Sequence, residues 1–142
     1  MAEPSEKRKR TLALHDRALR FSTDVNRSCP NHFSNFPSST VWQQLVRAAD
    51  SASNNLIEAD DASSDADFLH KMAIALREAK EARAALSKIR MGSLDHFQQI
   101  VESNLESEAG QLAAIFASIM TNMRLRLDDE RLTRTAGKRP RR

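Results

Sequence analysis

Seven apolar residues in the middle of the chain, Phe68, Met72, Ala75, Ala79, Ala82, Leu86 and Ile89, recur at alternating four- and three-residue steps. Three heptads of this kind form the seam of a bundle or coiled-coil helix. A strand, with its period of two, cannot present such a row on one face. The alanines at the centre imply that a partner helix approaches closely, and Gly92 ends the run. Upstream, Ser63 or Ser64 can cap the helix. Asp65 and Asp67 then lie in its first turn, where the helix dipole favours negative charge.

Three more segments carry helical periodicity. The first spans about Thr11 to Asn26, with Leu12, His15, Ala18, Leu19, Ser22 and Val25 on one face. The second starts near a capping Ser38 or Ser39, and its stripe is Val41 or Trp42, Leu45, Ala48, Ala49, Ala52 and Leu56. It stops between Glu58 and Asp60. Between these two, Cys29–Ser39 reads as a loop whose Phe33 and Phe36 dock on the body. The last helix is expected to run unbroken from about Leu94 to Leu132, with Gly110 as its weak point. Its apolar face widens between Leu112 and Met123. Such a face suits either a subunit interface or a deeply buried helix. Together the four predict an all-α, antiparallel, up-down four-helix bundle over residues 11–130.

Composition excludes several classes. With only 3 Gly and 4 Pro in 142 residues, the chain lacks the turns of a sandwich or barrel and the Gly loops of nucleotide-binding folds. A single cysteine, Cys29, removes an internal disulfide framework and any thiolate-rich zinc site. The charged first ten residues are no signal peptide. Ala109–Met123, the longest charge-free helical stretch, is shorter than the roughly 20 residues of a membrane span. A cytoplasmic protein is expected, with no membrane partner.

Charge is unevenly placed. The net charge is +3, but residues 1–10 contribute +2 through Lys7, Arg8, Lys9 and Arg10 against Glu3 and Glu6. Residues 131–142 contribute +6 through Arg131, Arg134, Lys138, Arg139, Arg141 and Arg142, which leaves the body at −5. A flexible basic start (1–10) and a disordered basic tail (131–142) are expected around an acidic body. Basic ends attract polyanions or simply solvate the chain. Without interleaved aromatics they can neutralise phosphates but offer no base stacking.

Little in the chain suggests chemistry. His15, His32, His70 and His96 lack the i,i+4 partner of a helical metal site. Asp65, Asp67 and His70 are the one conceivable cation group, and capping already accounts for the aspartates. Cys29, near Arg27 and His32, suits an incidental loop cysteine better than a nucleophile. No metal or cofactor is expected. The polar residues of the second helix are more informative. Gln44, Arg47, Ser51, Asn54, Asn55 and Glu58 border its apolar stripe, with Arg47–Ser51 and Asn54–Glu58 at i,i+4 and Arg47–Asn54 two turns apart. They suit a network fixing helix register or subunit pairing, preferred here, or a ligand site.

The stretch from Val41 to Ala59, with Gln44-Leu45-Val46-Arg47-Ala48 and then Ser51, Asn55 and Glu58, resembles the signature of the bacterial four helix bundle protein family, also called the ribosomal-RNA intervening-sequence protein family. Phe36-Pro37 before it, and Asp67-Phe68-Leu69, Ile74-Ala75 and Glu81 after it, are similar to further family motifs. The resemblance covers about residues 12–127. It departs at Ala59, where the family has Gly, at the shifted pair Leu56-Ile57, and at Arg77 and Glu78, where the family has Gly-Ser. The third helix is therefore expected to pack differently at its middle or to expose that position.

The resemblance implies a homopentameric ring of bundles without known enzymatic activity. One related branch, the accessory variability proteins of retroelements, binds nucleic acid. It also implies that Gln44, Arg47, Asn54, Asn55, Glu58 and Glu81 form a structural polar network. Because the body is acidic, the nucleic-acid contact would fall to the basic termini. The expected function is a non-enzymatic oligomeric scaffold binding RNA or DNA through those ends. The alternative is a protein-interaction adaptor using the apolar face of the fourth helix or the ring mouth.

Overall fold

The computed structural model describes residues 2–138. Its elements are α1 (Glu6–Ser28), α2 (Phe36–Asp60), α3 (Asp65–Met91), α4 (Phe97–Glu102) and α5 (Leu105–Gly137). No strand occurs among the described residues. The long helices α1, α2, α3 and α5 pack antiparallel as a bundle. The α2–α3 pair is the most extensive, α3–α5 next, and α1–α5 the thinnest seam. No helix among the described residues is long and apolar enough to cross a membrane.

The heptad row of α3 holds the centre. Met72, Ala75, Ala79, Ala82, Leu86 and Ile89 are buried, and Phe68 packs against them at the edge. On α2, Trp42, Leu45, Ala48, Ala49, Ala52 and Leu56 are buried as their spacing predicts. Small residues on both helices let the backbones come close, which explains why this pair is the tightest. Ser64 caps α3, accepting from the Asp67 amide at 3.1 Å.

The boundaries differ from expectation in four places. First, α1 begins at Glu6, because Ser5 Oγ accepts from the Arg8 amide at 3.1 Å. Residues 6–10 are thus helical, not a flexible lead. The buried face is Ala18, Phe21, Ser22 and Val25, while Leu12 and Leu19 remain 42% and 43% exposed. Second, α2 is capped by Asn35, whose Oδ1 accepts from the Ser38 amide at 2.9 Å. Pro37 follows in the first turn, where a missing N–H costs nothing. Phe33 docks on the core, but Phe36 is 81% exposed.

Third, the last helix is broken. Ser103 leaves helical geometry at ψ 169°, and its Oγ accepts from the Leu105 amide at 3.2 Å. The short α4 therefore packs on α3 before α5 begins. Gly110 is not the break. A Cβ there would lie 3.3 Å from the Arg83 guanidinium, so the glycine makes room for that side chain to cross α5. Fourth, α5 continues as helix through Gly137, where a disordered tail from residue 131 was expected. The wide apolar stretch of α5 is divided: Leu112, Ala113, Phe116 and Met120 are buried, and Ile115 and Ile119 are half-buried against the core.

The turn between α3 and α4 is pinned by its own polar atoms. Asp95 accepts from the Ser34 amide at 2.7 Å, and its own amide donates to Ser38 Oγ at 3.2 Å. The Trp42 indole donates to the Asp95 carbonyl at 2.7 Å, and His96 Nδ1 lies 2.8 Å from the Ser28 carbonyl. Ser93 and His96 adopt φ of 50° and 60°, the left-handed conformations that this tight connection requires. The hydrogen bonds from Ser34 hold the Asp95 carboxyl below its ordinary pKa.

Candidate functional site

The polar residues of α2 do not converge into one pocket. They staple α2 to α3. Arg47 donates to Glu78 Oε2 at 3.2 Å and to Glu81 Oε2 at 2.9 Å. The Glu81 hydrogen bond, then the field of Glu78, raises the guanidinium pKa further above its ordinary value. Three turns on, Lys71 donates to Glu58 at 2.9 Å. Asn55 bonds within its own helix to the Ser51 carbonyl at 2.8 Å. Gln44 and Asn54 are exposed. The i,i+4 pairs Arg47–Ser51 and Asn54–Glu58 are absent from the observed bonds, since Arg47 and Glu58 reach across to α3 instead.

At the two positions of α3 where the resemblance departs, Arg77 is exposed and Glu78 is buried, only 6% exposed. A buried carboxylate requires a charged partner, and Arg47 supplies it. The signal was present in the sequence, because Glu78 stands one helical turn before Glu81.

At the far end of the bundle, Arg90 grips Glu106 with two hydrogen bonds of 2.8 and 2.9 Å, and Ser87 Oγ adds one of 2.6 Å. These donors, Arg90 first, lower the Glu106 pKa from 4.5 to about 2. The unfolded chain therefore binds this proton more readily, and stability rises with pH through the window. The contribution is complete above about 4.5 and disappears as pH falls toward 2. Replacing Glu106 with Gln should cost about 1 kcal/mol near neutral pH, allowing for solvent screening. The gap from the unmodified protein should close in urea titrations carried to pH about 2; a constant gap would contradict this linkage.

The two basic ends differ. At the amino end Arg8 pairs with Asp60 at 2.5 Å, and Lys9 lies 3.3 Å from Glu6 and 3.5 Å from Glu3. Half of that cluster is neutralised locally, leaving Lys7 and Arg10. At the carboxyl end Arg131, Arg134 and Lys138 are exposed. None of the three has an acidic partner within 4.0 Å among the described residues, whereas Arg126 lies 3.8 Å from both Asp65 and Glu130. Arg139, Arg141 and Arg142 lie outside the described residues.

A cleft opens where α1 and α5 part. Its volume is about 570 Å³. Leu14, Phe68, Met72, Ile119 and Met123 form the apolar walls, with Lys7 and Arg126 at the rim. Nothing resembling a catalytic constellation lines it. Among the described residues no group of three or more His, Cys, Asp or Glu side chains is placed to hold a metal ion. Asp67 accepts from the Ser63 amide at 3.3 Å and thus belongs to the start of α3. Burial raises the Cys29 thiol pKa, which disfavours the nucleophilic thiolate.

The profile of the family described as 23S rRNA-intervening sequence protein matches residues 10–122. Among solved structures, the chain is similar to a protein of unknown function from the S23 ribosomal protein family of Bacteroides thetaiotaomicron. The two share 26% identity with a TM-score of 0.60, over 75% of this chain and 97% of that one. Among curated proteins none matches. The matched segment runs from within α1 to the middle of α5 and ends before the basic carboxyl-terminal stretch.

Proposed function

The chain belongs to the 23S rRNA-intervening sequence protein family, and from that premise we propose a non-enzymatic, oligomeric helical scaffold that binds nucleic acid through its basic ends. The observation that carries this reading is the charge pairing. The carboxyl-terminal cations have no acidic partners among the described residues, whereas two of the four amino-terminal ones do. Cations held free of carboxylates release counterions when they meet phosphates.

Assembly into a ring of five copies is part of the proposal. Its support is the exposure of Leu12, Leu19, Leu125 and Leu132 together with the open α1–α5 cleft. A solution mass near five times 16.0 kDa agrees with it; a monomer mass refutes it. Multiplying the basic ends in one particle strengthens weak phosphate contacts through avidity.

The test is binding of labelled RNA and DNA over a salt series, comparing the full chain with the triple variant Arg131→Gln, Arg134→Gln, Lys138→Gln. The full chain should lose affinity steeply with salt. The variant should show a slope of log affinity against log salt shallower by about 2–3. Salt-insensitive binding, or none, defeats the nucleic-acid reading. A second reading, a protein-interaction adaptor, draws on the 62% and 69% exposed Leu125 and Leu132 of α5. One stoichiometric protein partner, with no nucleic acid, would favour it.

A further inference from the structure

The end of α5 is a projecting rod. Arg126 lies beside Asp65, the first residue of α3, so the bundle ends at that level. Beyond it the helix continues to Gly137, and residues 128–138 are all exposed. Eleven residues past Arg126 extend about 16 Å at the α-helical rise.

The charge on this rod is ordered. Arg124, Leu127, Arg131, Arg134 and Lys138 follow one another at three-, four-, three- and four-residue steps. In a helix that spacing puts them on a single face, and Leu127, Arg131, Arg134 and Lys138 do line one shallow surface groove. Arg131, Arg134 and the capping residue Lys138 lie on the rod, and Arg124 lies one step before it, so the four cations span about 21 Å. None of the four is paired with an acid among the described residues. Asp128 and Glu130 border the stripe, one on each side, while Asp129 lies opposite it. The face holds no Asn, Gln or aromatic side chain.

From this geometry we infer that the projecting end of α5 enters the major groove of double-stranded DNA as a helix and grips the phosphate backbone there, largely without reading sequence. The inference rests on the nucleic-acid reading above and specifies its ligand. A lone, unpacked helix is about 10–12 Å across, and the B-form major groove is about 12 Å wide. The major groove of A-form RNA is too deep and narrow to admit it. Contacts from arginine and lysine to phosphates position a helix and carry no sequence information, and the stripe lacks the Asn and Gln that read adenine. Rigidity matters as much as charge, because a preformed rod presents its cations together and does not lose ordering entropy on binding.

The experiment separates helix from charge. Thr133 lies across the rod from the stripe, and Thr133→Pro breaks the helix there while leaving every charge in place. Thr133→Ala is the helical control. The full-length protein and both variants are titrated against a short DNA duplex, the RNA duplex of the same sequence and the single strands of each. Unchanged melting of the body confirms that only the rod is altered. The expected result is that DNA duplex binds about tenfold or more tighter than RNA duplex, and that Thr133→Pro, but not Thr133→Ala, loses about tenfold on DNA. If Thr133→Pro binds DNA as well as the unmodified chain, or RNA duplex binds as well as DNA, the groove inference is overturned while the nucleic-acid reading stands. If none of the nucleic acids binds, both fall.

Discussion

Trp42→Ala is expected to destabilise the protein by about 3–5 kcal/mol, the range for removing a large buried aromatic side chain. Trp42 is 0% exposed and stands at the start of α2, under the turn that joins α3 to α4. It acts twice. Its ring fills the bundle end, with His96 edge-on at a centroid distance of 6.4 Å and an angle of 81°. Its Nε1 also donates to the Asp95 carbonyl at 2.7 Å. Trp42→Phe separates the two roles, because it restores part of the volume and leaves that carbonyl without its donor, at a cost of about 1–3 kcal/mol. Urea unfolding at fixed protomer concentration, followed by far-ultraviolet circular dichroism, measures both. Circular dichroism is needed because Trp42 is the only tryptophan. A loss below about 1 kcal/mol for Trp42→Ala would mean that the bundle end is not packed as described.

Overfilling the small-residue core of α3 should be almost as harmful as emptying the core. Ala75, Ala79 and Ala82 are 0%, 1% and 0% exposed on the helix that makes the tightest pairing in the fold. Ala79→Leu adds three carbons where no space exists and should cost about 1–3 kcal/mol or more. Ala84→Leu, on an exposed position of the same helix, should stay within about 0.5 kcal/mol of the unmodified protein. Helix propensity treats the two substitutions alike, so any difference between them measures packing. Equal effects in thermal melts would contradict close packing around the centre of α3.

The elements with a strict apolar period were legible without coordinates. The seam from Phe68 to Ile89 and the stripe from Trp42 to Leu56 predicted both helices and their buried faces, because on a bundle helix burial follows spacing directly. Ends were harder. Whether α1 starts at residue 6 or 11 depends on one Ser5 hydroxyl meeting one amide, and periodicity does not register a single cap. The break before α5 was missed for a related reason. The apolar pattern continues across Ser103 and Asn104, and only the local hydrogen bonds of Ser103 show that the chain turns there. Arg47 and Glu58 were legible as polar residues of α2 beside a seam. Their partners lie on α3, Glu78 and Glu81 for Arg47 and Lys71 for Glu58, and only the relative rotation of α2 and α3 brings them together.

The order in which the chain assembles follows from the uneven seams. The α2–α3 hairpin combines the tightest packing with a connection of four residues, Asp61 to Ser64. Contacts close in sequence form fast, because little loop entropy is lost in making them. The α1–α5 seam joins the two ends of the chain and is the thinnest. It therefore closes last and reopens first. Backbone amides of α2 and α3 should be the slowest in the molecule to exchange with deuterium, and the opening of α1 against α5 should widen the cleft while the hairpin beneath it stays folded.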